Sequence, residues 1–430
     1  MLMQDMTASE GTMSPPKPKN RLVGIDAARG LALIGLMAVH LYPSAVGDTS
    51  DPTLAWTLFG GDSAALFALL AGVGLALSSG GRTQHRGRQM NADRVGVAVR
   101  AVMIGIVALA IAAIMPADPP AYGILLYYSA FFLLAIPFLH FGIGTLFLSA
   151  AAFAVVSPIL IQQLYPVLPG SSLYNHTLVT LFTEPAGVAS ELLITGSYPA
   201  LSFMPFILVG LGLGRLNLRS TRIQAIIAGA GAALAVLANL ASSLLLHAVG
   251  GYEALLETPD MTRDSLDEAL MFGPSILPDT SGWWLAIATP HSGATLAIAS
   301  SLGMALLVLA LFLLIGAKAG RWLAPLAAMG AMTLTLYSAH LLALAPEVHY
   351  DEPTAWFVVH LVVAATFAWI WRRSVGQGPL ELIVTRAVRG ARLVVIEGTP
   401  DTAPTTTTNG TARGTPDGIT REPRNGPSST

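Results

Sequence analysis

The sequence contains no cysteine and carries few charged residues for its length. Without cysteine there is no disulfide framework, no thiolate zinc site and no cysteine nucleophile. Only 11% of the 430 residues are charged and 53% are hydrophobic, whereas soluble domains carry about 25% charge. Such a chain cannot cover a soluble surface, so we predict an integral membrane protein embedded in a lipid bilayer. Nothing in it indicates nucleic-acid binding.

Apolar runs of about 20 residues recur along the chain, and each is long enough to cross the hydrocarbon core of a bilayer. We therefore predict an all-α fold class, a polytopic helix bundle of about ten transmembrane helices. The fourth and fifth helices are separated only by the short turn 140–142. The predicted helices cover residues 22–43, 59–79, 95–115, 122–140, 143–163, 198–214, 223–248, 289–316, 323–345 and 354–371.

Arginine and lysine residues between these helices predict the orientation of the bundle. With the N-terminus inside, the basic clusters at 82–94, 215–222, 318–321 and 372–373 all fall in the cytoplasm. Only Arg263 falls outside, so an even number of spans is favoured and both termini are predicted to be cytoplasmic. The first apolar run is longer than that of a signal peptide and is predicted to be a retained helix.

The domain organisation follows from changes in composition along the chain. Residues 1–20 are polar and are predicted to be a disordered cytoplasmic N-terminus, followed by a membrane domain over 21–392. Residues 393–430 are rich in Thr, Pro and Gly and are predicted to be a disordered cytoplasmic tail. The acidic segments 164–197 and 249–288 lie outside in this topology. They are interpreted either as a solvated face or as a lid over a site.

The first helix carries the most informative polar residues. Asp26 and Arg29 are three residues apart, share a helix face and can pair at the cytoplasmic end of the helix. His40 lies about 21 Å further along the same helix. The pair is interpreted either as an anchor that sets helix depth or as part of a site. His40 is interpreted as functional, because intramembrane ionisable residues are uncommon.

Three further ionisable residues are predicted to lie near His40 on the external side, namely Asp62, His291 and His340. Asp62 could orient an imidazole, but it could also cap a helix, and His291 after a proline has the same two interpretations. His340 shares a helix face with Thr333 and Tyr337. Such side chains also form ordinary hydrogen bonds between membrane helices.

The basic loop after the second helix could meet the phosphates of a coenzyme, although it also satisfies the topology rule. The candidate residues for that contact are Arg82, Arg86 and Arg94, with Arg88 and Arg100 nearby. The remaining histidines have no partner at metal-ligand spacing, so we predict no metal site. The glycines around positions 72–74 and 210–214 lack the lysine of a phosphate loop and predict close helix packing.

Several motifs carry a resemblance to known families. The order Asp, Arg at +3, Gly-Leu-Ala and His at +14 resembles the first helix of the acyltransferase-3 family. More of the chain is similar to the heparan-α-glucosaminide N-acetyltransferase-like proteins and their bacterial relatives. The similar pieces are GGDSAALFALLAGVGLAL at 60–77, GSYPALSFMPFILVGLGLGRL at 196–216, PHSGAT at 290–295, GAMTLTLYSAH at 330–340 and GQGPLELIVTRAVRG at 376–390.

The resemblance implies a transmembrane O- or N-acyltransferase of the bacterial plasma membrane. Its donor would be cytoplasmic acyl-CoA, with acetyl-CoA expected, and its acceptor an external glycan or glycolipid. His40 matches the essential histidine of the acyltransferase-3 motif, whereas residues 44–58 lack the external-loop histidine of the second family. A transporter or flippase, or a catalytically silent partner protein, stays an alternative. The oligomeric state, including a homo-oligomer, is left open.

Overall fold

The computed structural model describes residues 22–47, 51–274 and 276–397. These residues form helices and loops, and the only extended pairing among them is an isolated bridge between Ala45 and Pro52. In chain order the α-helices are α1 Val23–Leu41, α2 Leu54–Phe59, α3 Asp62–Ser78, α4 Gly87–Ala112, α5 Leu125–Ala135, α6 Ile143–Leu164, α7 Leu178–Thr183, α8 Pro185–Ser190, α9 Ala200–Leu213, α10 Thr221–Ser243, α11 Gly251–Leu256, α12 Arg263–Phe272, α13 Thr295–Ala319, α14 Ala324–Gly330, α15 Thr333–Leu344, α16 Pro353–Ser374 and α17 Pro379–Glu397.

The chain is a multi-pass membrane protein. Among the described residues, seven helices are long and apolar enough to cross a bilayer. Two further helix pairs are bent at short breaks, α8 with its following turn against α9 by 51° and α14 against α15 by 76°. Counting each bent pair as one span gives up to nine spans within the described ranges.

The predicted count of about ten spans is therefore not confirmed, although each predicted run contains a helix. The helix in the fourth run, Leu125–His140, is apolar but shorter than the seven and is not counted among them. The turn that separates it from α6 lies at Phe141 and Gly142, as predicted. The eighth run begins as a helix at Thr295 rather than at residue 289, because the preceding Pro290 and Gly293 interrupt it.

Helix α1 lies in the middle of the bundle, where it packs against α3, α13, α14 and α16. Asp26 lies in its first turn and His40 in its last turn. Gly30 allows α14 to approach closely, because a Cβ at this position would collide with the backbone carbonyl of Leu326. The charged pair and the imidazole are thus held at opposite ends of one buried helix.

Close packing between α3 and α9 depends on glycine, as predicted. A Cβ at Gly72 would meet the carbonyl of Ile207, and a Cβ at Gly210 would meet the carbonyl of Leu69. Neither carbonyl can move without distorting its helix. Gly74 differs from these packing positions because it faces the guanidinium of Arg29.

Helix α17 is amphipathic and was not predicted as a helix, since its arginines interrupt any apolar run. It packs along α4, where Nη2 of Arg392 pairs with Oδ1 of the buried Asp93 at 2.5 Å. The other oxygen of Asp93 lies 2.7 Å from Nδ1 of His85. The helix continues to Glu397, five residues past the predicted boundary. The predicted disordered N-terminus, 1–20, and residues 398–430 of the predicted disordered tail, 393–430, lie outside the described residues.

Candidate functional site

Three histidines from three helices meet near the end of α1. Nδ1 of His40 lies 3.2 Å from Nε2 of His340 on α15, and the two ring planes differ by 6°. Nδ1 of His340 lies 2.7 Å from Nδ1 of His360 on α16. His340 and His360 are buried and His40 is partly buried. The three rings therefore form a continuous chain of hydrogen bonds inside the bundle.

The structure brings together His40 and His340 as predicted, and it adds a residue that sequence reasoning missed. His360 was interpreted only as having no partner at metal-ligand spacing, since His340 is 20 residues away and on another helix. The sequence did contain one indication of a partner. His360 lies within an apolar membrane helix, where burying an ionisable side chain costs free energy unless it is paired.

A cavity of about 230 Å³ reaches from the Asp26 end of α1 toward the histidine cluster. Tyr337 lines the cavity, and its ring centroid is 6.2 Å from that of His40 and 6.5 Å from that of His340. Thr333, one turn before Tyr337, also lines it, so this face of α15 is the one that the spacing predicted. The apolar part of the lining is formed by Leu36, Phe67, Ala71, Ile104, Ile124, Leu125, Phe132 and Leu334.

The other end of the cavity is cationic. Arg29 and Arg100 both line it, and Arg392 lies close enough to Arg100 to interact with it electrostatically. The Nη1 atom of Arg29 lies 3.5 Å from Oδ1 of Asp26, which is the pairing that the spacing predicted. Nη2 of Arg29 donates to the carbonyl of Leu70 at 3.2 Å.

Arg100 differs from Arg29 in its contacts. It forms no hydrogen bond or ion pair with any residue in the described part of the chain. A guanidinium that lines a mostly apolar cavity without a counter-ion is costly unless an anion binds there. This end of the cavity can therefore bind an anionic group.

The break between α14 and α15 places a helix N-terminus at the same cavity. Gly330 and Ala331 at the break line the cavity wall. Glu381 of α17 also lines it and accepts hydrogen bonds from the backbone N–H of Thr335 at 3.1 Å and from its hydroxyl at 2.6 Å. These bonds satisfy donors that the first turn of a helix leaves free. The carboxylate of Glu381 thus fixes the broken helix against α17.

A second, smaller cavity of about 50 Å³ contains His291 in its lining, together with Gly61 and Ser202. His291 has a φ of 60°, in the left-handed region that few non-glycine residues adopt. His291 is exposed at the surface of the structure, but the protein groups packed around its ring desolvate it and lower the pKa of His291 to about 4. His291 is also close enough to His40 for an electrostatic interaction.

The capping interpretations of His291 and Asp62 are not supported. Helix α13 begins four residues after His291, and its N-cap is Ala294. Asp62 is the first residue of α3, one position after the N-cap Gly61. Asp62 also lies close to Ser301, which lines the small cavity. Asp62 and His291 therefore belong to the surroundings of one cavity.

The three predicted coenzyme-binding arginines lie apart from the large cavity, whose lining contains none of them. Arg82 and Arg86 are exposed. Arg94 contacts Nδ1 of His140 at 3.3 Å. Their contact with a coenzyme stays a prediction, and a single sequence gave no means of ranking Arg100 above them. Within the described ranges, no three His, Asp or Glu side chains are arranged to hold a metal ion.

Comparison with known proteins identifies the family. The family model described as heparan-alpha-glucosaminide N-acetyltransferase, catalytic, matches residues 21–248, which is more than half of the chain. The matched part contains His40, Arg29 and Arg100 and ends before α13. His340 and His360 lie beyond it. No curated protein matches the chain.

Proposed function

The chain belongs to the heparan-α-glucosaminide N-acetyltransferase catalytic family, and from this membership and the geometry of its cavity we propose that it is a membrane-embedded acetyltransferase. The donor is acetyl-CoA from the cytoplasm. The acceptor is a hydroxyl or amine of a glycan or glycolipid on the opposite face of a bacterial plasma membrane. The observation that carries the proposal is one cavity with the guanidinium groups of Arg29 and Arg100 at one end and His40 beside the other.

The volume of the cavity suits the acyl-pantetheine arm of an acyl-coenzyme A. At about 230 Å³ it is smaller than the roughly 300–1,000 Å³ typical of pockets that enclose a drug-sized ligand. It can therefore admit an acyl-pantetheine arm but not the whole coenzyme. The phosphates would stay at the cationic end, where Arg29 and Arg100 can bind them.

The reaction then needs a base where the arm ends. His40 accepts the proton of the acceptor hydroxyl or amine, the freed oxygen or nitrogen attacks the thioester carbonyl, and the carbon–sulfur bond breaks. The coenzyme leaves as a thiolate and is protonated by water on the donor side. The Tyr337 hydroxyl is a candidate donor to the oxyanion that forms on the carbonyl, since Tyr337 lines the cavity beside His40.

The acceptor would approach from the side of the small cavity. His291 and Asp62 lie there, and His291 interacts electrostatically with His40. At about 50 Å³ this space holds water rather than a sugar. A saccharide acceptor would therefore bind above it and extend only its reacting group toward His40.

Acetyl transfer by the purified protein in detergent tests the proposal directly. The donor probe is radiolabelled acetyl-CoA, with glucosamine as an amine acceptor and methyl glucoside as a hydroxyl acceptor. We expect transfer to at least one of them, and His40→Ala should lower the rate at least about a hundredfold. His247→Gln is the control, because His247 is exposed in the helical turn that follows α10. Wild-type rates in His40→Ala would remove His40 from the mechanism.

A transporter is the second candidate, and the two bent helix pairs favour it. Transporters bind substrates between discontinuous helices, and α14 and α15 form such a pair with a 76° bend beside the large cavity. Substrate flux through reconstituted vesicles without any acyl donor would support transport. Acetylated envelope glycans or lipids that disappear, by mass spectrometry, from a deletion strain would support the acetyltransferase.

A further inference from the structure

The histidine chain continues past the residue that meets the substrate. His340 uses both of its ring nitrogens, one toward His40 and the other toward His360. A neutral imidazole has one N–H donor and one acceptor nitrogen. His340 must therefore donate to one neighbour and accept from the other, so the tautomers of all three rings are coupled.

When all three rings are neutral, only two arrangements of their N–H hydrogens satisfy both hydrogen bonds. In one, His40 donates from Nδ1 to His340, and His340 donates from Nδ1 to His360. In the other, both bonds run in the opposite direction. The first arrangement leaves the lone pair of His40 on Nε2, the ring nitrogen that faces away from His340, and makes His40 a base.

The geometry of both contacts suits proton transfer. The near-parallel planes of His40 and His340, with centroids 5.4 Å apart, allow an N–H of one ring to point along the lone pair of the other. The contact between His340 and His360 is short at 2.7 Å, with the rings perpendicular. Within the described ranges, no carboxylate forms a hydrogen bond or ion pair with these rings that could hold a charge on them permanently.

The row of hydrogen-bonded histidines ends near a fourth buried histidine. His349, in the turn before α16, is 2% exposed, and neither of its ring nitrogens has a hydrogen-bond partner in the described ranges. It interacts electrostatically with His40, His340 and His360. The exposed Glu347, two residues earlier, interacts with His349 in the same way. His349 therefore lies beside a solvent-exposed acid.

We propose that His340 and His360 form a proton relay that carries the proton accepted by His40 away from the reaction centre toward His349 and Glu347. The proposal rests on the proposed acetyltransferase function. Nε2 of His40 takes the acceptor proton, Nδ1 of His40 passes a proton to Nε2 of His340, and Nδ1 of His340 passes one to Nδ1 of His360. His360 then releases the proton from its Nε2 nitrogen to water on the side of His349 and Glu347. Proton exchange of the rings with water restores their starting tautomers before the next turnover.

Two substitutions at His360 separate a relay from a structural role. Glutamine keeps a polar group that can hydrogen-bond to His340 but cannot pass a proton along, whereas alanine removes the ring and leaves space for a small base. With labelled acetyl-CoA and the acceptor that the wild type uses, we expect both variants to lower kcat about tenfold or more with unchanged KM. Added imidazole should restore part of the rate of His360→Ala but not that of His360→Gln.

Folding is checked by the elution of each variant from a size-exclusion column in detergent, with His247→Gln as the control. Wild-type kcat in folded His360→Gln overturns the relay, as does a folded His360→Ala that imidazole does not rescue. If alanine prevents folding, the glutamine variant decides alone. These outcomes differ from failure of the proposed function, in which the wild type itself transfers no acetyl group.

Discussion

Nδ1 of His40 and Nε2 of His340 lie 3.2 Å apart, although the two residues are 300 positions apart in the chain. The contact joins the first helix to the second half of a broken helix, so its geometry depends on the packing of the whole bundle. It also sets the tautomer of His40, and thereby determines which nitrogen is available as a base.

Replacing His340 should lower catalysis more than donor binding. His340→Gln removes the ring that orients His40 but leaves the cationic end of the cavity intact. We expect kcat for acetyl transfer to fall about a hundredfold with little change in KM for acetyl-CoA. Steady-state kinetics measure both constants. A rise in KM at constant kcat would assign His340 to donor binding instead.

Replacing Arg100 should have the opposite effect. Arg100→Gln removes a guanidinium that has no partner in the described ranges and that we assign to a coenzyme phosphate. A lost charge-assisted hydrogen bond corresponds to about tenfold to a hundredfold in KM for acetyl-CoA, with kcat largely kept. Arg222→Gln, on an exposed position of α10, is the matched control. Equal KM values for both variants would exclude Arg100 from the donor site.

The packing of α3 against α9 predicts a stability difference between two glycines. Gly72→Ala should cost about 1–3 kcal/mol, because its Cβ would meet the backbone of Ile207. Gly229→Ala on α10 should be neutral or stabilising, since nothing lies within 4 Å of its added Cβ. Thermal unfolding in detergent compares the two. A similar melting temperature for both variants would argue against close α3–α9 contact.

His291 predicts a dependence of stability on pH. Its pKa in the folded protein is about 4, whereas an unfolded histidine titrates near 6.5. Between these values the unfolded chain binds a proton that the folded chain does not. The free energy of unfolding should therefore fall as the pH drops from 6.5 toward 4 and be unaffected by this group above 6.5.

The matched variant for this test is His291→Asn, since asparagine also tolerates a φ of 60°. Melting temperatures in detergent at pH 7 and pH 5 measure the effect. The drop between the two pH values should be smaller in the variant than in the wild type. Equal drops would mean that His291 titrates normally in the folded protein.

Much of the bundle could be predicted because the bilayer imposes a simple rule. A helix that crosses it must be long and apolar, so the runs that contain α1, α4, α10 and α13 are visible in the sequence. The break between α14 and α15 is not visible in the sequence, because Ala331 and Met332 are compatible with a continuous helix. Helix α17 escaped prediction because an amphipathic helix at the edge of a bundle has no such run.

The spacing of residues within one helix predicted part of the site, and the predicted topology placed His340 on the same side of the membrane as His40. Asp26, Arg29 and His40 could be related to one another by helix geometry alone. The contact of His340 with His360 and the exposure of Arg100 to the cavity depend on which helices are neighbours. Apolar periodicity does not specify neighbours among helices that are apolar on most faces.

In the proposed reaction, the large cavity brings the acetyl thioester beside His40 from one side of the membrane while the acceptor arrives from the other. Proteoliposomes with labelled acetyl-CoA outside and the acceptor probe trapped inside measure this directly. We predict labelled product in the lumen for the wild type and none for His40→Ala. Product that forms only when donor and acceptor share the same compartment would contradict the account.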